Sequence, residues 1–138
     1  MRVEPTGPSA RSRRGLHAQN LARRDLESHG FHTLAENVRY RAGELDIIGI
    51  MDDTLVAVEV RSRATPNLGS PEESITPSKA ARLARLVRAY RQDHEADDLP
   101  ENTRIDVVAV VFDGRNRVSR LSWHRNAVED TPEPGSAG

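Results

Sequence analysis

The feature that most constrains this chain is a pair of apolar runs that carry charge where strands rarely do. They read Glu44-Leu45-Asp46-Ile47-Ile48-Gly49-Ile50-Met51 and Thr54-Leu55-Val56-Ala57-Val58-Glu59-Val60-Arg61, separated only by Asp52-Asp53. Two β-branched runs joined by a short turn predict a β-hairpin. Side chains alternate along a strand, so Glu59 and Arg61 share one face while Val58 and Val60 take the other. Glu44 and Asp46 share a face in the same way. A carboxylate withdrawn from water without a partner is costly. The fold must therefore bring Asp46 and Glu59 either basic partners, such as Arg61, or a metal ion. Oxygen-only ligands suit Mg2+ or Mn2+ better than Zn2+.

Around the hairpin, the rest of the chain divides into elements by periodicity. Ala18, Leu21, Ala22 and Leu26 recur at helical spacing, and Gly30 suits a left-handed stop, which predicts a helix over 15–29. A short strand follows over 31–38, and 37–43 reads as a turn. Residues 62–75 read as a loop. Thr76-Pro77 is a helix start, with Thr76 as cap and Pro77 in the first turn. That second helix runs to about 92, with Ala80, Leu83, Ala84, Val87 and Tyr90 as its apolar stripe. Residues 104–112 form a continuous apolar strand expected to be buried on both faces. After Asp113-Gly114, a last strand spans 118–124. The order is α-β-β-β-α-β-β, an α/β fold with a mixed central sheet flanked by helices.

At 138 residues the chain is one domain. We expect a disordered basic arm over 1–13, a folded part over 14–129 and a disordered tail over 130–138, because both ends are rich in Pro, Gly and charge. No apolar run approaches the roughly 20 residues of a membrane span, and the basic N-terminus lacks the apolar stretch of a secretory signal. A cytoplasmic protein with no membrane contact is the expectation. The absence of Cys excludes disulfides, thiolate metal sites and cysteine nucleophiles. The formal net charge of −1 hides an asymmetry, since Arg clusters near the start and Lys79, Arg82, Arg85, Arg88 and Arg91 lie on the second helix. Steps of three drift around a helix, so these charges make no straight stripe. They read either as a solvated face or as phosphate contacts along a nucleic acid. The five His residues show no metal spacing, and Trp123 reads as an apolar anchor of the last strand. With so few aromatic residues, a base-stacking surface is not expected.

Gly43-Glu44-Leu45-Asp46-Ile47-Ile48, followed by Val58-Glu59-Val60-Arg61-Ser62-Arg63, resembles the YraN-type uncharacterised protein family, whose pattern is GEIDLI, then VEVKxR. Gly15, Ala18, Ala22, Leu26, Gly30, Asn37, Arg39, Gly69, Thr76, Pro77, Lys79 and Tyr90 extend the resemblance over nearly the whole folded part. It implies a restriction-endonuclease-like PD-(D/E)xK core akin to archaeal Holliday junction resolvases. It also implies an endonuclease acting on branched or structured DNA, with Mg2+ or Mn2+ as cofactor. In that scheme Asp46 and Glu59 are metal ligands, the main-chain carbonyl of Val60 adds another oxygen, and Arg61 stands at the place of the motif Lys. Gln19 stands where resolvase-like enzymes carry a metal-binding Glu, and Glu44 is a further candidate near the metal. Arg39, Arg63, Lys79 and Arg82 are candidates for nucleic-acid contact. A homodimer fits the resolvase resemblance, because cutting a junction takes two active sites. Arg61 and Gln19 depart from the pattern. Arg cannot readily release a proton, and Gln keeps an oxygen but loses the charge. The alternative is a noncatalytic nucleic-acid-binding or scaffolding module with a degenerate nuclease site. A protein-interaction domain without a nucleic-acid role is the third reading.

Overall fold

The computed structural model describes residues 13–64 and 75–127. The expected arm up to residue 12, the tail and most of the 62–75 loop lie outside these residues, and Arg13 opens the first helix. The elements follow the predicted order. They are α1 (Arg13–Ser28), β1 (His32–Tyr40), β2 (Gly43–Met51), β3 (Thr54–Arg63), α2 (Pro77–Asp93), a 3-10 turn at Glu95–Asp97, β4 (Asn102–Phe112) and β5 (Val118–His124). Among the described residues, no helix is long and apolar enough to cross a membrane.

One five-stranded sheet is ordered β1-β2-β3-β4-β5. The first three strands form an antiparallel meander, β3 and β4 are parallel, and β5 returns antiparallel to β4. The parallel pair requires a crossover, and α2 lies within it. Asp52 and Asp53 both have positive φ, 51° and 57°, between the paired Met51 and Thr54. This is the two-residue turn whose twist matches a hairpin.

The two helices cover opposite faces. On one face, α2 places Leu83, Leu86, Val87 and Tyr90 against Leu45, Ile48, Leu55, Ala57, Ile105 and Val107. On the other, Ala18, Ala22 and Leu26 of α1 pack on Ile47, Val56, Val58, Val60, Val108 and Val110. β4 is buried without interruption from Ile105 to Phe112, as its apolar run demands. The α2 stripe differs from the expected one at Leu86, which is buried, and at Ala84, which is only half-buried. β1 also runs further than expected, to Tyr40, so only Arg41 and Ala42 turn the chain.

The last strands are locked by one buried carboxylate. Asp106 is fully buried. It accepts a forked pair of hydrogen bonds from Arg104 (2.9 and 3.1 Å) and further bonds from Trp123 Nε1 (3.0 Å) and the Asn126 backbone N–H (2.8 Å). The charge is compensated from three directions, which is what a buried carboxylate needs. Trp123 thus anchors β5 through a hydrogen bond as well as through apolar contact.

A tight approach fixes where β1 crosses β2. A Cβ on Gly49 would collide with the His32 carbonyl oxygen and with the Phe31 ring. Backbone and a buried aromatic cannot both retreat, so Gly49→Ala should destabilise the fold by roughly 1–3 kcal/mol, the range for overpacking. Urea denaturation checks this, and an unchanged midpoint would contradict it.

Candidate metal and nucleic-acid site

The candidate site begins where the sheet loses its regularity. The β2–β3 ladder ends at Ile47↔Val58, so Asp46 and Glu59, the next residues in register, face each other just beyond it. On the other side, β1 and β2 keep register through Glu36↔Ile47 and Val38↔Leu45, which puts Asn37 opposite Asp46. Asn37 has φ 53°, a left-handed conformation that Asn tolerates better than most residues. The alternation shifts there. Leu45 joins the core under α2, whereas Ile47 joins the core under α1, although residues two apart on a regular strand share a face.

The break determines what Asp46 does. Its Oδ2 accepts a hydrogen bond from the Val60 backbone N–H at 2.9 Å. A side chain thereby serves the group that a continued ladder would have paired with main chain. In an extended strand, a residue turns its N–H and its C=O to the same neighbour. The Val60 carbonyl is therefore directed towards the same side as its N–H.

Glu59 is the most heavily compensated carboxylate of the site. Its Oε2 lies 3.2 Å from Arg61 Nε, and its Oε1 lies 2.9 Å from Lys79 Nζ. The Glu59 side chain is 13% exposed, against 35% for Lys79. Lys79 reaches it from the first turn of α2, whose start is held by the Thr76 hydroxyl accepting from the Lys79 N–H at 3.3 Å. Asp46 and Glu59 line one recess with Glu44, Leu45, Ala57, Val58 and Leu83. Its interior is about 10 Å3, the size of a single water position.

Gln19 approaches from α1 and is 3% exposed. Its Nε2 donates to Glu36 Oε1 at 3.1 Å and to the Asp46 main-chain oxygen at 3.3 Å. Its Oε1 is buried with no hydrogen-bond partner among the described residues. Gln19 is therefore a buried brace behind Asp46. Glu44 lies in the recess but pairs with Arg39, 3.5 Å away across the β1–β2 register. Arg39, expected to meet a nucleic acid, thus has a carboxylate partner within the sheet.

The other cations divide by position. Arg63 ends β3, half-buried, and Arg82 is exposed on α2, with its Cδ 3.9 Å from where a Cβ on Gly43 would stand. Arg85 and Arg88 are exposed. Arg91, in the same series, instead clamps the chain before β4, donating to the carbonyls of Pro100, Glu101 and Asn102 and to Thr103 Oγ1. His17 stands against Phe112, with ring centroids 5.7 Å apart.

The donor set fits a small hard cation. Two carboxylates and a main-chain carbonyl supply oxygen only, and Mg2+ or Mn2+ bound this way completes its shell with water. Among the described residues, no group of three His, Cys, Asp or Glu side chains gathers to hold a metal, so any ion here would rest on two carboxylates. Lys79 is the contributor that sequence spacing did not reveal as a partner of Glu59. The two are twenty residues apart, and only the crossover brings them together.

A family model described as uncharacterised protein family UPF0102 matches residues 18–110. The UPF0102 protein of Roseiflexus castenholzii is 45% identical over 122 residues, covering 87% of this chain and 96% of the relative. That of Nitrosomonas europaea is 38% identical over 123 residues, covering 89% and 99%. Among solved structures, the crystal structure of a repair endonuclease from Pyrococcus abyssi aligns with a TM-score of 0.41 and 16% identity. The alignment covers 78% of this chain and 41% of that one, so this chain spans less than half of that protein's length.

The Gln19 contacts generate a prediction. A Glu at this position cannot donate to Glu36 or to the Asp46 carbonyl, and it adds a carboxylate beside another. In EDTA, Gln19→Glu should lower stability by about 1–3 kcal/mol, the range for unsatisfied buried groups. Mn2+ should return part of that loss if the new carboxylate reaches the metal. Thermal denaturation with and without Mn2+ checks both statements, and a variant as stable as the parent in EDTA would refute the first.

Proposed function

The chain belongs to the uncharacterised protein family UPF0102, the YraN family, and on that premise we propose that it is a nucleic-acid-binding protein of restriction-endonuclease-like fold. Its reaction is metal-dependent hydrolysis of phosphodiester bonds in branched or otherwise structured DNA. The observation that carries this reading is the pairing of Asp46 and Glu59 in one recess, at the point where β2 parts from β3. A hairpin has no structural need for two facing carboxylates, whereas a divalent ion does.

In this reading Asp46, Glu59 and the Val60 carbonyl would hold Mg2+ or Mn2+, which would supply Lewis acidity to a phosphodiester oxygen and to an attacking water. Arg61 presents a guanidinium fork beside Glu59 and holds a phosphate oxygen by charge-assisted hydrogen bonds. It does not act as the base, because it keeps its proton. Gln19 steadies the main chain of Asp46 from behind. Arg63 and Arg82 supply backbone-phosphate contacts, which position a nucleic acid without reading its sequence. Two copies of the chain would be needed to cut both strands of a junction.

The second reading is a noncatalytic nucleic-acid-binding module, and one observation favours it. Both Glu59 oxygens are already engaged by cations of the chain itself.

Labelled branched, duplex and single-stranded DNA, incubated with Mg2+, Mn2+ or EDTA, separates the two readings. We expect cutting that needs the metal, falls on the order of a hundredfold or more in Asp46→Ala and Glu59→Ala, and is fastest on branched DNA. Salt-sensitive binding without cutting by the pure protein would overturn the catalytic reading in favour of the module.

A further inference from the structure

Lys79 is the chain's only lysine among 20 basic residues, and its ammonium sits on the carboxylate most central to the site. It touches Glu59 Oε1 at 2.9 Å, while Arg61 holds Oε2 at 3.2 Å. The two cations differ in how they are mounted. Arg61 lies on the same strand two residues from Glu59, so its guanidinium is tethered beside Oε2. Lys79 comes from another element. Its backbone is pinned by the Thr76 cap, but its four-carbon stem is flexible and its ammonium is a compact point charge with three rotatable donors. Leu83, one helical turn on and on the same side of α2, lines the recess that Asp46 and Glu59 share. Lys79 therefore stands over the recess, and among the described residues its ion-pair partner is a group that a metal ion would also need.

An ammonium and a divalent ion at the same carboxylate oxygen repel each other and compete for its lone pairs. We propose that Lys79 is the site's exchangeable cation. In the metal-free protein it occupies Glu59 Oε1 and compensates the half-buried carboxylate. On metal binding it is displaced from that oxygen and donates instead to a phosphate oxygen of the bound nucleic acid. This rests on the reading of Asp46 and Glu59 as a divalent-metal site and deepens it. Lys79 is thus a positioning residue that couples metal occupancy to phosphate binding, and not one more contact in a basic helix face.

The test is a Mn2+ titration of the full chain, followed by calorimetry at low ionic strength and without nucleic acid. Wild type, Lys79→Met, Lys79→Arg and Glu59→Ala are compared, each first shown to unfold cooperatively. With no ammonium to displace, Lys79→Met should bind Mn2+ about tenfold more tightly than wild type, a difference of about 1.4 kcal/mol. Lys79→Arg, which keeps the charge, should not show this gain. A companion measurement uses DNA with a non-hydrolysable phosphorothioate backbone. Lys79→Met should lose several-fold in affinity when Mn2+ is present and little in EDTA, where the wild-type ammonium is engaged by Glu59. Mn2+ affinity unchanged or weakened in Lys79→Met, with binding still abolished in Glu59→Ala, would overturn the proposal and leave the metal site standing. Binding of Mn2+ by neither wild type nor Lys79→Met would remove both. Equal loss of DNA affinity with and without Mn2+ would make Lys79 an ordinary phosphate contact and would also overturn the proposal.

Discussion

The hydrogen bond from the Val60 N–H to the Asp46 carboxylate is the contact on which the rest of this site depends. It exists because β2 leaves β3 after Ile47↔Val58, and a buried backbone donor must find another acceptor. By accepting that hydrogen bond, the Asp46 side chain is fixed in the gap. Glu59 faces it from the other strand, and the two carboxylates line one recess. The left-handed Asn37 lies opposite on β1, and the Gln19 amide holds the Asp46 carbonyl from behind. The sheet thus gives up one step of regular pairing and gains a place where charge gathers. Strand ends and irregularities are where sheets commonly re-aim side chains for function.

Charge compensation around Glu59 is the second constraint. An uncompensated carboxylate at its burial would be costly, and the protein answers with one cation from its own strand and one from α2. Both are arranged so that the carboxylate remains at the edge of solvent. The contrast with Asp106 is instructive. That carboxylate is fully buried and accepts four hydrogen bonds from three residues, binding β4, β5 and the turn after β5 together. One acid is closed and structural. The other stays at the mouth of a recess, held by one cation from its own strand and one from α2.

Most of the fold was legible because its elements obey simple periods. The hairpin announced itself through two β-branched runs around Asp52-Asp53, and α2 through Thr76-Pro77 followed by apolar residues at helical spacing. The continuous run of β4 foretold burial on both faces. The extension of β1 to Tyr40 was missed because Asn37, Arg39 and Arg41 look like turn residues, whereas Arg39 and Glu44 pair across the strands. In the site, Asp46 and Glu59 stood out as charges in apolar strands, and alternation placed Glu59 beside Arg61. The Lys79 contact was not legible, since it depends on how the crossover seats α2 on the sheet. Nor was the arginine series: its members look alike in sequence, yet Arg91 braces the approach to β4 while Arg82, Arg85 and Arg88 are exposed. Gln19 was visible as a departure from a family pattern, but its role as a buried donor follows only from the position of Glu36 and the Asp46 carbonyl.

The most direct test of this account is where a paramagnetic ion settles. Backbone amide resonances of the isotopically labelled full chain would be followed as Mn2+ is added in small steps. The account predicts early, selective broadening at Asp46, Glu59, Val60 and Arg61 and their neighbours on β2 and β3, absent in Glu59→Ala. Broadening centred instead on the acidic segment 93–101, or none near Asp46 and Glu59 at any Mn2+ concentration that leaves the protein folded, would contradict it.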